Sequence, residues 1–458
     1  MADGGAAFTG ATVLVCGAGL AGRSAVEALL RRRARVLLTD RDRGAAVDTL
    51  VAAGARFVGA PEVVPPGVDV LVTSPGWRPD HPLLHDAVTR GIGVLGEVEF
   101  AWQLRRSGAA PWLAVTGTNG KTTTVRMLES VLRAAGEHAL AVGNVGVPVI
   151  DAVDADWDVL AVEVSSFQLH WSATFAPDAA AVLNLAPDHL DWHGSMSAYA
   201  RAKAMIWRGP VAIGNADDPV VADLLAASGA STKVSFTLGD PVPGQLGVRD
   251  GLLVDRAFGD GVELIPLAEV RPSGAHNVAN ALAAAALARS HGVAPAAVAA
   301  GLRAFVPDPH RNQLVLERGG IVWIDDSKAT NPHAARASLT AYPRVVWIAG
   351  GQLKDAPVDD LVAEIAPRLR GVVLLGADRA VVAAALRRHA PDVQVIEVGT
   401  VDDGAMTEVV HAAAGLARPG DTVLLAPAAA SYDMFTGYAA RGDAFAAAAH
   451  ALGTGAAR

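Results

Sequence analysis

The sequence predicts an α/β protein of three domains with mostly parallel sheets, and three observations predict it. Short β-branched runs alternate with Ala/Leu-rich helical stretches from end to end, the pattern of repeated strand–helix–strand units. The chain has 458 residues, and at about 150 residues per domain that length suits three cores. Two glycine-rich turns, Gly17–Gly22 and Gly117–Gly120, each follow a strand and open a helix.

The elements justify this in order. Strands are expected at Thr12–Cys16, Arg35–Asp40, Asp69–Ser74 and near Gly93–Gly96, followed by a polar, proline-terminated linker at Arg105–Pro111. The second block starts at Trp112–Thr116 and continues through strands near Val159–Val164, Ala179–Leu185 and Val211–Gly214. It closes with helices over Asn277–Arg289 and Pro295–Ala304, and Pro307-Asp308-Pro309 breaks the chain after them. The third block carries strands at Val315–Glu317, Ile321–Ile324, Val345–Ile348, Val372–Leu375 and Thr422–Leu425. The expected domains are therefore 1–108, 109–308 and 309–458.

Composition bounds the function. Apolar residues make up 51 % and charged ones 19 %, so the chain can bury real cores and is not disordered. Mean hydropathy is +0.30, raised largely by alanine, and without a run of about 18 strongly apolar residues no membrane span or membrane partner is expected. The start MADGGAAFTG lacks a basic region and an apolar stretch, against export. The single cysteine, Cys16, excludes an internal disulfide framework and fits a reducing cytoplasm. Net charge −9 without a basic block argues against a nucleic-acid partner. Of 38 basic residues only five are lysines: Lys121, Lys203, Lys233, Lys328 and Lys354. Arginine serves wherever a surface cation is enough, so a surviving lysine points to a compact ammonium or a reactive primary amine.

The first turn, Gly17-Ala18-Gly19-Leu20-Ala21-Gly22, has Asp40 at the end of the next strand, eighteen residues past Gly22. That is the dinucleotide fingerprint: glycines for the tight turn, a helix N-terminus for phosphate, an acid for a ribose hydroxyl. Read alone it suggests NAD, but the same crevice serves other phosphorylated ligands or none, and nothing downstream resembles hydride-transfer equipment. The second turn, Thr116-Gly117-Thr118-Asn119-Gly120-Lys121-Thr122-Thr123, suits a triphosphate. Backbone N–H groups and the helix dipole would cradle the oxygens, Lys121 would reach the β/γ positions and the Thr122 hydroxyl would hold Mg²⁺. Its spacing departs from the common G-x₄-GK[ST], because Val115 replaces the first glycine. A merely helix-capping turn leaves the lysine unexplained.

G-T-N-G-K-T-T is how the ATP loop is written in the Mur ligases and folylpolyglutamate synthases, and this chain resembles that superfamily over nearly its whole length. The carrying residues are Val13–Gly22, Ser74-Pro75-Gly76, Gly117–Thr123, Gly143-Asn144-Val145-Gly146 and Glu163–Leu169. They continue with Asp188-His189-Leu190-Asp191, Tyr199 with Ala202-Lys203, His276-Asn277 with Asn280, and His310-Arg311. Asp326-Ser327-Lys328-Ala329-Thr330-Asn331, Gly350-Gly351, Ser431-Tyr432-Asp433 and Arg441-Gly442 complete the series. Asp326–Asn331 resembles the D-glutamate-adding branch. The resemblance implies a Rossmann-like N-terminal domain binding a UDP-substrate, a central P-loop ATPase-like domain and a C-terminal Rossmann-like domain binding the amino acid. It also implies a monomeric, cytoplasmic ligase of peptidoglycan synthesis that adds D-glutamate to UDP-N-acetylmuramoyl-L-alanine through an acyl phosphate. Other amide ligases of the superfamily, and a nucleotide-binding regulator without turnover, are the rival readings.

The resemblance also distributes roles. ATP would sit on Gly117, Thr118, Asn119, Gly120, Lys121, Thr122 and Thr123, with Asn277 and Asn280 reading the adenine edge and Arg311 and Asp326 approaching ribose and phosphates. Thr122 and Glu163 would hold one Mg²⁺; His189 and a carbamylated Lys203, whose amine takes up CO₂ to become an oxygen ligand, would hold the second. On residue type alone Glu163 could be a capping or surface carboxylate, His189 a catalytic or structural histidine, since imidazole is an uncommon Mg²⁺ ligand, and Lys203 a surface lysine on a helix over Met196–Trp207. Leu20, Ala21, Asp40, Arg41 and Gly76 would line the uridine-diphosphate site, and Asn144, Ser165 and Gln168 would contact the muramoyl-alanine part. Lys328, Thr330, Lys354, Ser431 and Tyr438 match positions that hold the incoming glutamate, a dianion that needs fixed cations and hydroxyls. Gly351–Lys354 departs from a more glycine/aspartate-rich family version, and Tyr438 stands where phenylalanine is common. With site residues in the second and third blocks, domain closure is expected to precede chemistry. Lys233 has no assigned role and is expected on the surface.

Overall fold

The computed structural model describes residues 8–144, 146–354, 356–400 and 404–452. Three sheets follow one another along the chain. The first contains β1 (Thr12–Cys16), β2 (Arg35–Thr39), β3 (Arg56–Phe57), β4 (Val70–Thr73) and β5 (Gly93–Gly96), in the order β3-β2-β1-β4-β5 and parallel throughout. Val13–Cys16 is wholly buried, as a continuous apolar strand covered on both faces must be.

The second sheet contains β6 (Trp112–Thr116), β7 (Ala139–Gly143), β8 (Val159–Glu163), β9 (Ala179–Val182), β10 (Val211–Asn215), β11 (Thr232–Phe236), β12 (Gln245–Arg249), β13 (Leu252–Asp255) and β14 (Val262–Pro266). Its order is β14-β13-β12-β11-β10-β9-β6-β8-β7, with antiparallel pairing at β12–β13 and β13–β14. β6 therefore lies between β8 and β9, and the loops leaving the carboxyl ends of these three parallel strands converge. The third sheet contains β15 (Gln313–Arg318), β16 (Ile321–Asp325), β17 (Val345–Gly350), β18 (Leu369–Leu375), β19 (Gln394–Glu397) and β20 (Thr422–Leu425), in the order β15-β16-β20-β17-β18-β19. β15 pairs antiparallel with β16 and the remaining pairs are parallel. Compactness divides the chain into two units, Met1–Val270 with Ala279–Phe305, and Arg271–Val278 with Val306–Arg458. No described helix is long and apolar enough to cross a membrane.

Most strands stand within a few residues of where the sequence places them. β3, β7, β11–β14 and β19 were not anticipated. β3 has only two residues, and β7 (ALAVG) carries alanine and glycine, which do not mark a strand. The expected helix Met196–Trp207 ends at Ala204 and tightens into a 3₁₀ turn over Met205–Arg208. There Trp207 leaves helical geometry and donates its indole N–H to the Ala180 carbonyl at 3.0 Å.

Inside the first unit, the helix Glu97–Leu104 fastens the first sheet to the second. Glu99 is wholly buried and accepts from five donors: the backbone N–H groups of Ala173, Thr174 and Phe175, the Thr174 hydroxyl and the Gln103 amide. Burial raises its carboxyl pKa, but these hydrogen bonds outweigh burial and hold it below the usual value. Glu97 accepts from Val149 N–H at 3.1 Å and from the Gln168 amide at 3.0 Å. With two donors among the described residues burial prevails, and its pKa is pushed up to about 7. Ser24 bonds Asp151 at 2.9 Å and Arg32 bonds Asp154 at 2.6 Å along the same junction.

A folded pKa of about 7 at Glu97 exceeds the unfolded value, so the folded protein binds the extra proton. Its contribution is fully present below about pH 4.5 and is lost as pH rises through about 7. Glu97→Gln, which mimics the protonated acid, should match the parent at about pH 4 and exceed it by about 1–3 kcal/mol at about pH 8. Urea unfolding of both proteins at the two pH values measures this; an equal decline in both would refute the assignment.

Candidate active site

The turn between β6 and the helix Lys121–Ala134 is held by its neighbour after β9. Gly120 has φ +84°, and a Cβ there would stand 2.3 Å from Asn280 Oδ1, so only glycine fits. Asn184 grips the loop: its carbonyl accepts from Thr118 N–H, its Oδ1 accepts from Asn119 N–H at 2.9 Å, and its amide donates to the Asn119 carbonyl at 3.0 Å. Thr118 Oγ1 accepts from Ala186 N–H at 3.0 Å and donates to the Ala186 carbonyl at 3.2 Å. Its proton is thereby engaged, so the buried Tyr199 hydroxyl, 3.0 Å away, is the donor to it. The loop is thus shaped by its surroundings before any ligand arrives.

Glu163 ends β8 and is 1 % exposed. Its Oε2 accepts from the Thr122 hydroxyl at 2.8 Å and its Oε1 from the Asn144 amide at 2.7 Å. The surface alternative for Glu163 therefore falls, while its bond to Thr122 in the first turn of the helix Lys121–Ala134 is consistent with the capping one. A hydroxyl and a carboxylate oxygen paired beside a phosphate loop fit a hard dication that completes its shell with water and phosphate oxygens. Among the described residues no group of three His, Cys, Asp or Glu side chains gathers to hold a metal without such ligands. Lys121 folds over the loop, donating to the carbonyls of Gly117 at 3.0 Å and Thr118 at 2.9 Å.

Lys203 is 2 % exposed, which removes the surface-lysine alternative. Its ammonium donates to the Gly117 carbonyl at 2.7 Å and to Thr116 Oγ1 at 3.3 Å, and lies 4.8 Å from the centre of the Tyr199 ring. Burial, then repulsion by Lys121, lowers its pKa well below the usual lysine value, against attraction by Asp188 and Glu163. As an ammonium it is a hydrogen-bond donor and cannot ligate a cation; only a carbamate at this nitrogen would offer oxygens. His189 adopts φ +52° at the start of a short helical turn, keeps 44 % of its side chain exposed, and rests 4.7 Å from the Phe167 ring. Its pKa is lowered, first by the covering on its packed side and then by Lys121 and Lys203, with Asp188 opposing.

On the first sheet, Asp40 accepts from the backbone N–H groups of Ala18 and Arg41, both at 2.7 Å. The acid that a dinucleotide site would aim at a ribose instead braces the glycine turn. Leu20, 66 % exposed, stands with Ala21 at the open start of the helix Leu20–Arg31, and Gly76 lies in the loop after β4.

In the second unit, the loops after β16, β17 and β20 lie side by side because those strands are neighbours. Lys328 holds its ammonium 4.0 Å from the centre of the Tyr438 ring, and Ser431 is buried in the loop after β20. Thr330 N–H donates to the Lys328 carbonyl, and the following Asn331 caps the helix Pro332–Leu339. Lys354 is exposed, with φ +52°. Asp326 accepts from Asn312 N–H at 3.1 Å and from the Ser338 hydroxyl, and burial pushes its pKa up to about 6. Arg311 stands 3.9 Å from Asp308. Asn277 donates its amide to the Ser273 carbonyl at 3.1 Å.

Ser165 and Gln168, expected to contact substrate, form a reciprocal capping box on a short helix, and the Gln168 amide is engaged by Glu97. Asn144 grips Glu163. Asn184 was missed; its only sequence signal is a polar residue directly after an apolar strand. Tyr199 and Arg441 lie within quoted motifs, yet their partners could not be read from them. Val145 lies outside the described residues. Lys233 is exposed, as expected, and donates to the Ala226 carbonyl.

Comparison with known proteins gives the family setting of the chain. Residues 115–288 match the Mur ligase middle domain and residues 310–429 the Mur ligase, glutamate ligase domain. The chain is 57 % identical to UDP-N-acetylmuramoylalanine–D-glutamate ligase of Thermobifida fusca, covering 97 % of this chain and 99 % of that one. It is 51 % identical to the enzyme of that name from Streptomyces coelicolor, with the same coverage, and 50 % identical to that of Mycolicibacterium smegmatis, covering 96 % and 97 %. MurF from Acinetobacter baumannii has a similar fold, with TM-score 0.59 at 21 % identity over 90 % of this chain and 89 % of that one. UDP-N-acetylmuramate–alanine ligase from Thermotoga maritima has TM-score 0.56 at 19 % identity over 91 % and 95 %.

A methyl group at position 120 would collide with Asn280 and force a side chain into left-handed backbone. Gly120→Ala should weaken nucleoside-triphosphate binding by about tenfold or more. Calorimetric titration measures it, and an unchanged affinity would show that the loop shape is not required.

Proposed function

The chain belongs to the Mur ligases, and from that premise we propose that it joins D-glutamate to UDP-N-acetylmuramoyl-L-alanine at the expense of ATP, a step of peptidoglycan synthesis. The observation that carries this is identity of 50 to 57 % over nearly the full chain to ligases of that name. The same chain supplies a preformed phosphate loop and places Lys328 and Ser431 on neighbouring strand ends.

The physical problem is to bring a carboxylate to a phosphoryl group despite like charge, so catalysis consists of positioning and neutralisation. Loop residues 117–123 hold the triphosphate, with Lys121 leaving its carbonyl partners to meet the β/γ oxygens. Thr122 and Glu163 would hold a Mg²⁺, which supplies charge neutralisation at those oxygens. His189 and Lys203, the latter as a carbamate formed from its amine and CO₂ with release of a proton, are assigned to a second ion. The support for a carbamate is a buried lysine kept in a chain that otherwise uses arginine. The alanine carboxylate oxygen attacks the γ-phosphorus and ADP departs, leaving an acyl phosphate. The glutamate amine then attacks the acyl carbon; the carbon–oxygen bond to phosphate breaks, the amine loses a proton and inorganic phosphate leaves.

Asn277 and Asn280 are assigned to adenine, Arg311 and Asp326 to ribose and phosphates. Leu20, Ala21, Asp40, Arg41 and Gly76 are assigned to the uridine diphosphate, and Lys328, Thr330, Lys354, Ser431 and Tyr438 to glutamate. Asn144 is assigned to Glu163 as well as to the muramoyl-alanine part, near Ser165 and Gln168. The reading includes domains 1–108, 109–308 and 309–458 that close on the substrates, a monomer, and a cytoplasmic location.

Amide formation from UDP-N-acetylmuramoyl-L-alanine, ATP and each glutamate enantiomer tests the reaction. Product with D-glutamate is expected, and its absence with both enantiomers would refute the proposal. Lys203→Arg should lower amino-acid-dependent phosphate release by about 100-fold or more, since guanidinium forms no carbamate. Lys233→Arg should stay within about twofold, as exposed surface changes usually do.

A further inference from the structure

Arg441, in the first turn of the helix Tyr438–Ala451, is 1 % exposed. Its Nε donates to Ser327 Oγ at 2.9 Å, Nη2 to the Ser327 carbonyl at 2.8 Å, and Nη1 to the Ala429 carbonyl at 3.1 Å and the Gly350 carbonyl at 3.5 Å. Those acceptors belong to the loops after β16 and β20 and to the last residue of β17. Ser327 Oγ in turn donates to the Tyr438 carbonyl at 2.8 Å, so the fork of the guanidinium closes on the residue that carries the ring beside Lys328. The loops are also stitched to one another: Gln352 and Ala430 exchange N–H···O bonds at 2.8 and 2.9 Å, and Ala428 N–H donates to the Ala329 carbonyl at 2.9 Å. A Cβ on Gly351 would stand 2.1 Å from the Ala430 carbonyl and 3.3 Å from Arg441 Nη1, so the packing leaves no room for a side chain there.

A buried guanidinium normally faces a carboxylate. Here its hydrogen bonds among the described residues all end on carbonyl and hydroxyl oxygens, with Asp433 and Asp325 acting only through their fields. Burial pulls its pKa down to about 10, so it stays charged at neutral pH. The cation is therefore anchored by dipoles and not by a contact ion, with Asp433 and Asp325 offsetting part of its field.

We propose that Arg441 is the positioning residue of the amino-acid site: it ties the loop after β16, which carries Lys328 and Thr330, and the loop after β20, which carries Ser431, to the end of β17, and adds a fixed positive field for a dianionic amino acid, without touching it. The proposal rests on the assignment of glutamate to these loops under Proposed function.

Arg441→Lys keeps the charge and removes the fork; Ser327→Ala keeps the arginine and removes one acceptor and the link to Tyr438. In steady-state kinetics Arg441→Lys should raise KM for D-glutamate by about 10- to 100-fold, the scale set by small misplacement of binding groups. KM for ATP and for the UDP-substrate should stay within about twofold. Ser327→Ala should change the same KM in the same direction by a smaller factor. Parallel loss for all three substrates together with a lower melting temperature, or no change in any KM, would overturn the proposal. Backbone hydrogen exchange separates its failure from failure of the functional assignment. Residues 327–331 and 428–431 should exchange about tenfold faster in Arg441→Lys whatever the amino acid proves to be, and unchanged exchange there would refute the locking itself.

Discussion

The phosphate loop depends on one constraint: a carboxylate buried at the end of β8 must be satisfied, and Thr122 and Asn144 satisfy it from opposite sides. A carboxylate buried to this degree is costly unless its oxygens find donors or a cation. Fixing Glu163 fixes the first turn of the helix Lys121–Ala134 through Thr122 and the loop after β7 through Asn144. The same helix start is shaped from the other side by Asn184 and Thr118, so the loop is held between β8 and β9 by groups that do not depend on ligand. This is preorganisation in the physical sense: the ordering cost is met in folding and not at binding.

Charge is distributed with the same economy. Lys121 and Lys203 both donate to the Gly117 carbonyl, so two ammonium groups crowd one turn. In the absence of anions they repel, and that repulsion lowers the Lys203 pKa beyond what burial does. A triphosphate would relieve the crowding by drawing Lys121 outward. In the second unit the cation is Arg441, tied to dipoles, and Lys328 is carried on an aromatic face. Among the described residues the hydrogen bonds of Arg441 end on carbonyl and hydroxyl oxygens, so its charge is held by dipoles.

Much of the fold was legible in the sequence because buried parallel strands are near-continuous apolar runs, as in TVLVC and WLAVT, and because glycine turns mark the strand-to-helix switches. β7 and β12–β14 were not legible: the first is alanine-rich, and the others pair antiparallel by tertiary contacts that period and propensity do not encode. In the site, the lysine scarcity drew attention to all five lysines alike and could not separate buried Lys203 from exposed Lys233 and Lys354. What spacing could not give was partnership. Gln168 was expected to face substrate, yet its amide is engaged by Glu97, seventy-one positions earlier. Asn184 clamps a loop sixty-five positions away, and Arg441 reaches Ser327 across more than a hundred. Such pairings are decided by which strands become neighbours.

The central claim is that Glu163, with Thr122, forms a cation-dependent triphosphate site and is not a structural acid. The direct measurement is calorimetric affinity for a non-hydrolysable ATP analogue, with and without Mg²⁺, in the parent and in Glu163→Gln. Magnesium should strengthen binding to the parent by about tenfold or more and leave the variant nearly unchanged. An equal gain in both proteins would contradict the claim.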